Sequence, residues 1–340
     1  MIKKYYIRPL LIATIIIMAS SFFTLPYYVS KPGMAKELHP IIKVENGYEE
    51  TGTFMLTTVR MGKANIYSYL LAKVSKYQEI YPEKLIKGED ESEEEYNTRQ
   101  LHLMEGSKLN AIEVAYKKAG IPVDFHYKGV YVLNIFPEMP ADGKLLPGDR
   151  IYEVDGKGFD SSDLFIDYVK NKNVGDSIQL TIERKEKVKK LNIPIATYPK
   201  KASIKGIGIE LVDDKEIIVK PAVKVNTDEI GGPSAGLMFT LEIYNQLTKE
   251  DFTKGYQIAG TGTISSDGTV GPIGGIEQKI VAADKVGAEI FFAPNEKGAA
   301  DSNYKAAVKT AKDIHTKMKI IPVDTFEDAV AYLEKLPIKR

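Results

Sequence analysis

Ser234 stands in the run Gly231-Gly232-Pro233-Ser234-Ala235-Gly236, directly ahead of an apolar stretch, LMFTLEIYNQL, that predicts a helix over 235–247. A serine at a loop-to-helix junction can do chemistry for two reasons. A substrate backbone can come close to Gly232, Pro233 and Ala235, because little side chain stands in the way. The first N–H groups of a helix also lack intrahelical partners and can stabilise a developing oxyanion. The same residues suit a structural role, since Ser is a favoured N-cap and Gly-Pro often opens a helix. The fragment alone leaves both readings open. A serine nucleophile needs a base. None of the four histidines, His39, His102, His126 and His315, stands in a second motif. Lys279 is the candidate. It follows Gly271-Pro-Ile-Gly-Gly275 and falls in the first turn of a helix predicted over 276–286 and closed by Gly287. There the helix dipole favours a neutral amine, and desolvation would favour it further. Taken alone, in a chain this rich in lysine, a solvated helix-face lysine is the better reading.

Composition removes several other chemistries. There is no Cys, which excludes disulfides, thiolate metal sites and a cysteine nucleophile. No His pair has metal-ligand spacing and no HExxH occurs, which speaks against a zinc hydrolase. Lys plus Arg and Asp plus Glu both number 46 in the 340 residues, so net charge gives no argument for a nucleic-acid partner. The hydrophobic share of 44% excludes a wholly disordered chain, and the length suggests two domains or three. No Gly-x4-Gly-Lys-Ser/Thr run is present. Gly62-Lys63, Gly143-Lys144 and Gly156-Lys157 each lack the upstream Gly and the following hydroxyl residue, so no ATP-binding module is expected. No cofactor or resident metal is expected.

The elements that must position these residues can be read coarsely. Lys3, Lys4 and Arg8 precede a charge-free run from Pro9 to Ser30, which reads as a membrane anchor over 1–30. The run reaches spanning length only if Pro26, Tyr27, Tyr28 and Val29 belong to it, with the tyrosines in the interface belt. The cationic flank would keep the N-terminus cytoplasmic and place the rest outside. A cleaved signal peptide is the alternative, with a poor cleavage site near Ala19-Ser20-Ser21. Lys31-Pro32-Gly33 reads as a linker. TFMLTTV, 53–59, reads as a strand, and 65–80 has helical apolar spacing. The acidic run 89–95 reads as a solvated helix start, because Ser92-x-x-Glu95 fits a capping box; that helix runs to Lys118.

Between about His126 and Pro194 the chain becomes β-rich. Gly129-Val-Tyr-Val132, Leu146-Pro-Gly-Asp-Arg-Ile151, Val154-Asp-Gly156 and Val174-Gly-Asp176, in that order, resemble a PDZ domain of the bacterial protease-associated kind. PDZ domains hold peptide ends by adding a strand to a sheet edge. The resemblance places the ligand loop at or before Gly129, with Gly129 and Val130 as candidate binding residues, although no Gly-Leu-Gly-Phe stands there.

A second resemblance changes how Lys279 is read. Pro233-Ser-Ala-Gly236, then Thr261-Gly-Thr-Ile-Ser-Ser-Asp-Gly-Thr-Val-Gly-Pro-Ile-Gly-Gly275, then Lys279 and Ala288-Glu-Ile-Phe-Phe-Ala-Pro294, resemble the proteolytic domain of Lon proteases over about 205–335. The resemblance implies that Ser234 attacks the peptide carbonyl, Lys279 is its general base, and Thr261 holds the lysine through its hydroxyl. A hydroxyl orients an amine without adding charge, whereas a carboxylate there would raise its pKa. The family usually has Asp where Gly231 stands; Asp228 and Glu229 do not fill that slot. The anchor, PDZ unit and Lon-type domain together resemble the membrane-anchored Lon-like PDZ proteases of Gram-positive bacteria. The expected fold class is α/β: an anchor over 1–30, a segment over 40–124 that packs with the protease, an inserted PDZ domain over 125–197, and a Lon-type proteolytic domain over 200–338. The implied activity is ATP-independent serine endopeptidase action on exposed peptide or protein segments outside the cytoplasm. The competing expectation is a catalytically silent PDZ receptor or scaffold.

Overall fold

The computed structural model describes residues 11, 14, 15, 18, 20–88, 91–199, 201–227 and 230–339, with backbone alone for 201–203. Lys3, Lys4, Arg8, most of the expected anchor, and Asp228 and Glu229 lie outside the described residues.

The chain opens with β1 (Thr24–Glu37) and β2 (Ile42–Val44), then β3 (Thr53–Asn65), α1 (Ile66–Val74), β4 (Glu79–Pro82) and the long α2 (Glu93–Lys118). The β-branched and apolar side chains of TFMLTTV suit a pleated, buried strand. Their alternation divides the core: Phe54 and Leu56 join the cluster on one face of the sheet, while Met55 joins the cluster on the other. Ser92 caps α2 in a closed capping box with Glu95.

A β-rich unit follows, built from β5 (Val123–Ile135), β6 (Arg150–Val154), α3 (Ser162–Lys170), β7 (Ser177–Arg184), β8 (Lys187–Pro194), the short β9 (Ala196–Tyr198) and β10 (Lys201–Gly206), and β11 (Ile209–Val219). Its sheet has the order β11-β5-β6-β7-β8. Its core holds Val130, Val132, Ile151, Phe165, Leu180 and Ile193.

The chain then returns through β12 (Val223–Val225), α4 (Gly236–Leu247), β13 (Gln257–Gly260), the small β14 (Thr263–Ile264) and β15 (Val270–Gly271), α5 (Ile276–Lys285), β16 (Ile290–Pro294), α6 (Asn303–Asp313), β17 (Lys319–Val323) and α7 (Phe326–Glu334). The main sheet has the order β17-β16-β13-β3-β1-β4. β13 lies parallel to both β16 and β3, so strands from before and after the β-rich unit close one sheet. α2, α4 and α7 cover one face; α5 and α6 cover the other.

Four expectations are corrected. Thr24 onward is strand: Tyr28 is buried at 3% exposure and hydrogen-bonds Glu93, so it is no interface tyrosine. Among the described residues no helix is long and apolar enough to cross a membrane. Lys31-Pro32-Gly33 is no linker either. It lies inside β1 at an irregularity of the register, where Gly33 packs against Thr58 too closely for a Cβ. Finally, the β-rich unit extends past 197. β11 pairs with β5 along its length, from Ile209 opposite Ile135 to Val219 opposite Val123. Its apolar residues do not say which of two sheets they join, which is why the run reads from sequence as the start of the protease. The helix expected over 65–80 ends at Val74, and β4 takes up the remaining residues.

Candidate active site

α4 begins with Ala235 at its N-cap and no side chain capping it, so Ser234 is not a structural cap. Its hydroxyl is free for other work. The loop that carries it is clamped at three points. The Gly232 N–H donates to the Gln100 carbonyl at 2.8 Å, and the Ser107 hydroxyl donates to the Pro233 carbonyl at 3.0 Å. The Ser234 carbonyl accepts from the Gly262 N–H at 2.9 Å and from the Thr261 hydroxyl at 2.9 Å. Gly236 is required by contact, since a Cβ there would lie 2.6 Å from Ile264 Cγ2 and 2.8 Å from Ser107 Oγ. Among the described residues, the amide N–H groups of Ser234 and Ala235 have no hydrogen-bond partner.

α5 is preceded by its N-cap Gly275, which sits in the left-handed region that favours glycine (φ +69°) and where a Cβ would lie 2.6 Å from Val59 Cγ1. Lys279 is the first residue whose N–H closes a helical hydrogen bond, to the Gly275 carbonyl. Its side chain runs inward and is 2% exposed. Nζ lies 2.8 Å from Ser234 Oγ, 3.0 Å from Thr261 Oγ1 and 2.9 Å from the Thr57 carbonyl oxygen. Burial pushes the amine down to about 7, and no neighbouring charge contributes.

The structure thus brings Ser234, Lys279 and Thr261 together. It also supplies Thr57, on β3, which carries no motif and lies 222 residues away in sequence from its lysine. Gln100 and Ser107 of α2 are further positioning groups that composition does not single out. Gly232 and Pro233 are partly exposed beside Ser234, but Ala235 is buried at 4%, so only its backbone can face a substrate.

Gly129 and Val130 do not form a peptide groove. β5 is flanked by β11 on one side and β6 on the other, so its backbone groups are already paired. Val130 is fully buried, and Gly129 is needed where the Ile151 carbonyl approaches. The outer strands of this sheet are β11 and β8. β11 follows the short connection Ile207-Gly208 that leaves β10 at Gly206, far along the chain from the expected place.

Among the described residues one group of side chains could hold a metal: His39, Glu50 and Glu242, with ligand atoms within 4.8 Å of one another. Glu242 is fully buried on α4, two turns beyond Ser234. Desolvation and the charge of Glu242 hold the Glu50 carboxyl well above the usual range.

Comparison with known proteins gives the family of the chain. The family model of the Lon protease (S16) C-terminal proteolytic domain matches residues 164–334, and that of the PDZ domain matches 118–195. The chain is similar to the peroxisomal Lon protease homolog 2 of Caenorhabditis elegans, 31% identical over 170 residues, which are 49% of this chain and 21% of that protein. It is also similar to the Lon protease of Trichlorobacter lovleyi, 36% identical over 108 residues, which are 32% of this chain and 12% of that protein. The match therefore spans a minor part of each relative's length. Among solved structures, the PDZ domain of an SdrC-like protein from Listeria monocytogenes is 39% identical, covering 26% of this chain and 90% of that one, with a TM-score of 0.24. With the proteolytic-domain match spanning half of its residues, the chain belongs to the Lon protease (S16) C-terminal proteolytic domain family of serine peptidases and carries a PDZ domain.

Proposed function

We propose that this protein is an ATP-independent, membrane-anchored serine endopeptidase that cleaves exposed peptide or protein segments outside the cytoplasm. The observation that carries the proposal is the buried Lys279 amine 2.8 Å from the Ser234 hydroxyl. A neutral amine has two N–H donors and one lone pair. The Thr57 carbonyl and the Thr261 hydroxyl oxygen accept the two donors, and Thr261 spends its own proton on the Ser234 carbonyl. Only the lone pair remains for Ser234, so the serine hydroxyl donates to Nζ. That is the arrangement a general base requires.

In the reaction, the Oγ–carbonyl bond forms as the proton passes to Nζ. The oxyanion takes the unoccupied N–H groups of Ser234 and Ala235. Nζ returns its proton to the leaving amine as the C–N bond breaks. Water, activated by the same amine, then hydrolyses the acyl-enzyme.

The remaining parts of the proposal rest on sequence. Residues 1–340 hold no phosphate-binding loop, which supports independence from ATP. Lys3, Lys4 and Arg8 before the apolar run support an anchor with the catalytic part outside. The PDZ unit supports capture of peptide ends, with the outer edge of β11 as the place. Mass spectrometry of secreted peptides incubated with the purified chain tests the activity. Cleavage by the wild type, unaffected by ATP and absent from Ser234→Ala, is expected. Identical fragment patterns for both proteins would remove the enzymatic assignment, and dependence on ATP would remove that part of it.

A further inference from the structure

α1 has the sequence IYSYLLAKV and is held by a closed capping box between Asn65 and Ser68. Only Ala72 is buried; with Tyr69 it packs on the β1 side against Val29 and Ala64. Ile66, Leu70 and Val74, spaced four apart, and Tyr67 and Leu71 beside them, form one stripe with exposures from 41% to 82%. A surface helix ordinarily turns its apolar stripe inward and its charges outward. Here the stripe faces out, and no element covers it among the described residues.

The position of the stripe supplies its occupant. Thr24, the first residue of β1, is paired with Asn65, the N-cap of α1. The Asn65 side-chain amide donates to the Ser21 carbonyl at 3.2 Å, and the hydroxyls of Ser20 and Tyr67 are hydrogen-bonded. The apolar N-terminal run therefore ends against the start of α1. Phe22 and Phe23, 85% and 74% exposed, carry the apolar surface from one to the other. Because the main sheet takes Thr24 onward, the charge-free run outside it is Pro9 to Phe23, 15 residues. Even if wholly helical, a run of that length would measure roughly 22 Å, short of the ~30 Å hydrocarbon layer. A stretch that short is matched by local thinning of the bilayer, and because Thr24 begins β1 directly after it, no spacer separates the lipid from the domain.

We propose that α1 lies in the headgroup region of the membrane, its stripe of Ile66, Tyr67, Leu70, Leu71 and Val74 buried among the upper acyl chains, so that the proteolytic domain is seated on the lipid rather than tethered above it. This rests on the anchoring proposed above. The lipid surface is favoured over a second copy of the chain because the apolar face is continuous with the run that would enter the membrane.

The chain has no Trp, so a single introduced one is an unambiguous reporter. The full chain carrying Leu71→Trp is reconstituted into phosphatidylcholine–phosphatidylglycerol vesicles with brominated acyl chains. Leu164→Trp, exposed on the PDZ unit, serves as control. Quenching of the Leu71→Trp emission by about twofold or more, with the control unchanged, is the expected result for a side chain roughly 5–10 Å into the interface. Chain that floats with the vesicles but leaves both reporters unquenched keeps its anchor and overturns this proposal. Failure to float overturns the anchor and this proposal with it. A blue shift of the Leu71→Trp emission that depends on protein concentration and not on lipid assigns the face to a second copy instead, and also overturns it.

Discussion

The chemistry of this site turns on how little surrounds one amine. No charge acts on Lys279, and burial alone lowers its pKa to about 7. The base works only when neutral. Peptide cleavage should therefore rise with pH and level off above about 7, losing about tenfold per unit below it. Initial rates on a short peptide between about pH 5.5 and 9 check this, and a profile with no inflection near neutrality contradicts the assignment. The sign for stability follows from the same shift. Between about 7 and the ordinary lysine value near 10.5, the unfolded chain binds a proton that the folded chain does not, so this residue's contribution to stability grows as pH rises through that window. Lys279→Arg should abolish cleavage at every pH, because a guanidinium does not titrate in this range.

At the scale of elements, the nucleophile is placed by contacts that glycines permit. An Ala in a helix interior ordinarily gains up to about 1 kcal/mol over Gly. At position 236 the added methyl would meet Ile264 Cγ2, Ser107 Oγ and the Ile264 backbone nitrogen, all under 3.0 Å. Overpacking of that kind costs about 1–3 kcal/mol, so the clash outweighs the propensity. Gly236→Ala should lower the midpoint of thermal melting. It should also reduce kcat, since the start of α4 cannot shift without moving Ser234.

The same contacts mark how far the sequence is legible. Ser234, Lys279 and Thr261 stand in motifs whose residue types each have a chemical reason, and the long helices announce themselves through caps such as Ser92 and closers such as Gly287. Thr57, Gln100 and Ser107 give no such signal, because they act through a backbone carbonyl or hold a backbone group, and any residue type can offer a carbonyl. The first half of β1 misleads because an apolar stretch bounded by charge looks alike whether lipid or a sheet will bury it. Gly129 likewise signals a close approach of backbone without saying whether a ligand or a neighbouring strand approaches; here it is β6.

For the whole molecule, the decisive feature is that the PDZ unit leaves and re-enters the proteolytic domain along one antiparallel ribbon. Val123 lies opposite Val219 and Phe125 opposite Ile217. Val123, Ile217 and Val219 pack against the main core, so the base of the ribbon belongs to the protease and the rest to the insert. Cross-strand partners are about 5 Å apart, a gap that a two-residue Asn-Gly turn closes. Replacing 126–216 by Asn-Gly removes none of Ser234, Lys279, Thr261, Thr57, Gln100 or Ser107. It does strip α2 of the Tyr131 ring stacked on His102 at 3.9 Å and of the Lys215 ammonium 3.8 Å from Glu113. The shortened protein should melt at a lower temperature yet cleave a short fluorogenic peptide within about tenfold of the parent rate, a change below about 1.4 kcal/mol in the barrier. Cleavage of a folded protein substrate with an exposed end should fall further, because the surface that would hold that end is gone. A shortened protein that stays folded by circular dichroism but loses peptide cleavage altogether would show instead that the insert holds α2, and through Gln100 and Ser107 the nucleophile loop, in its working position.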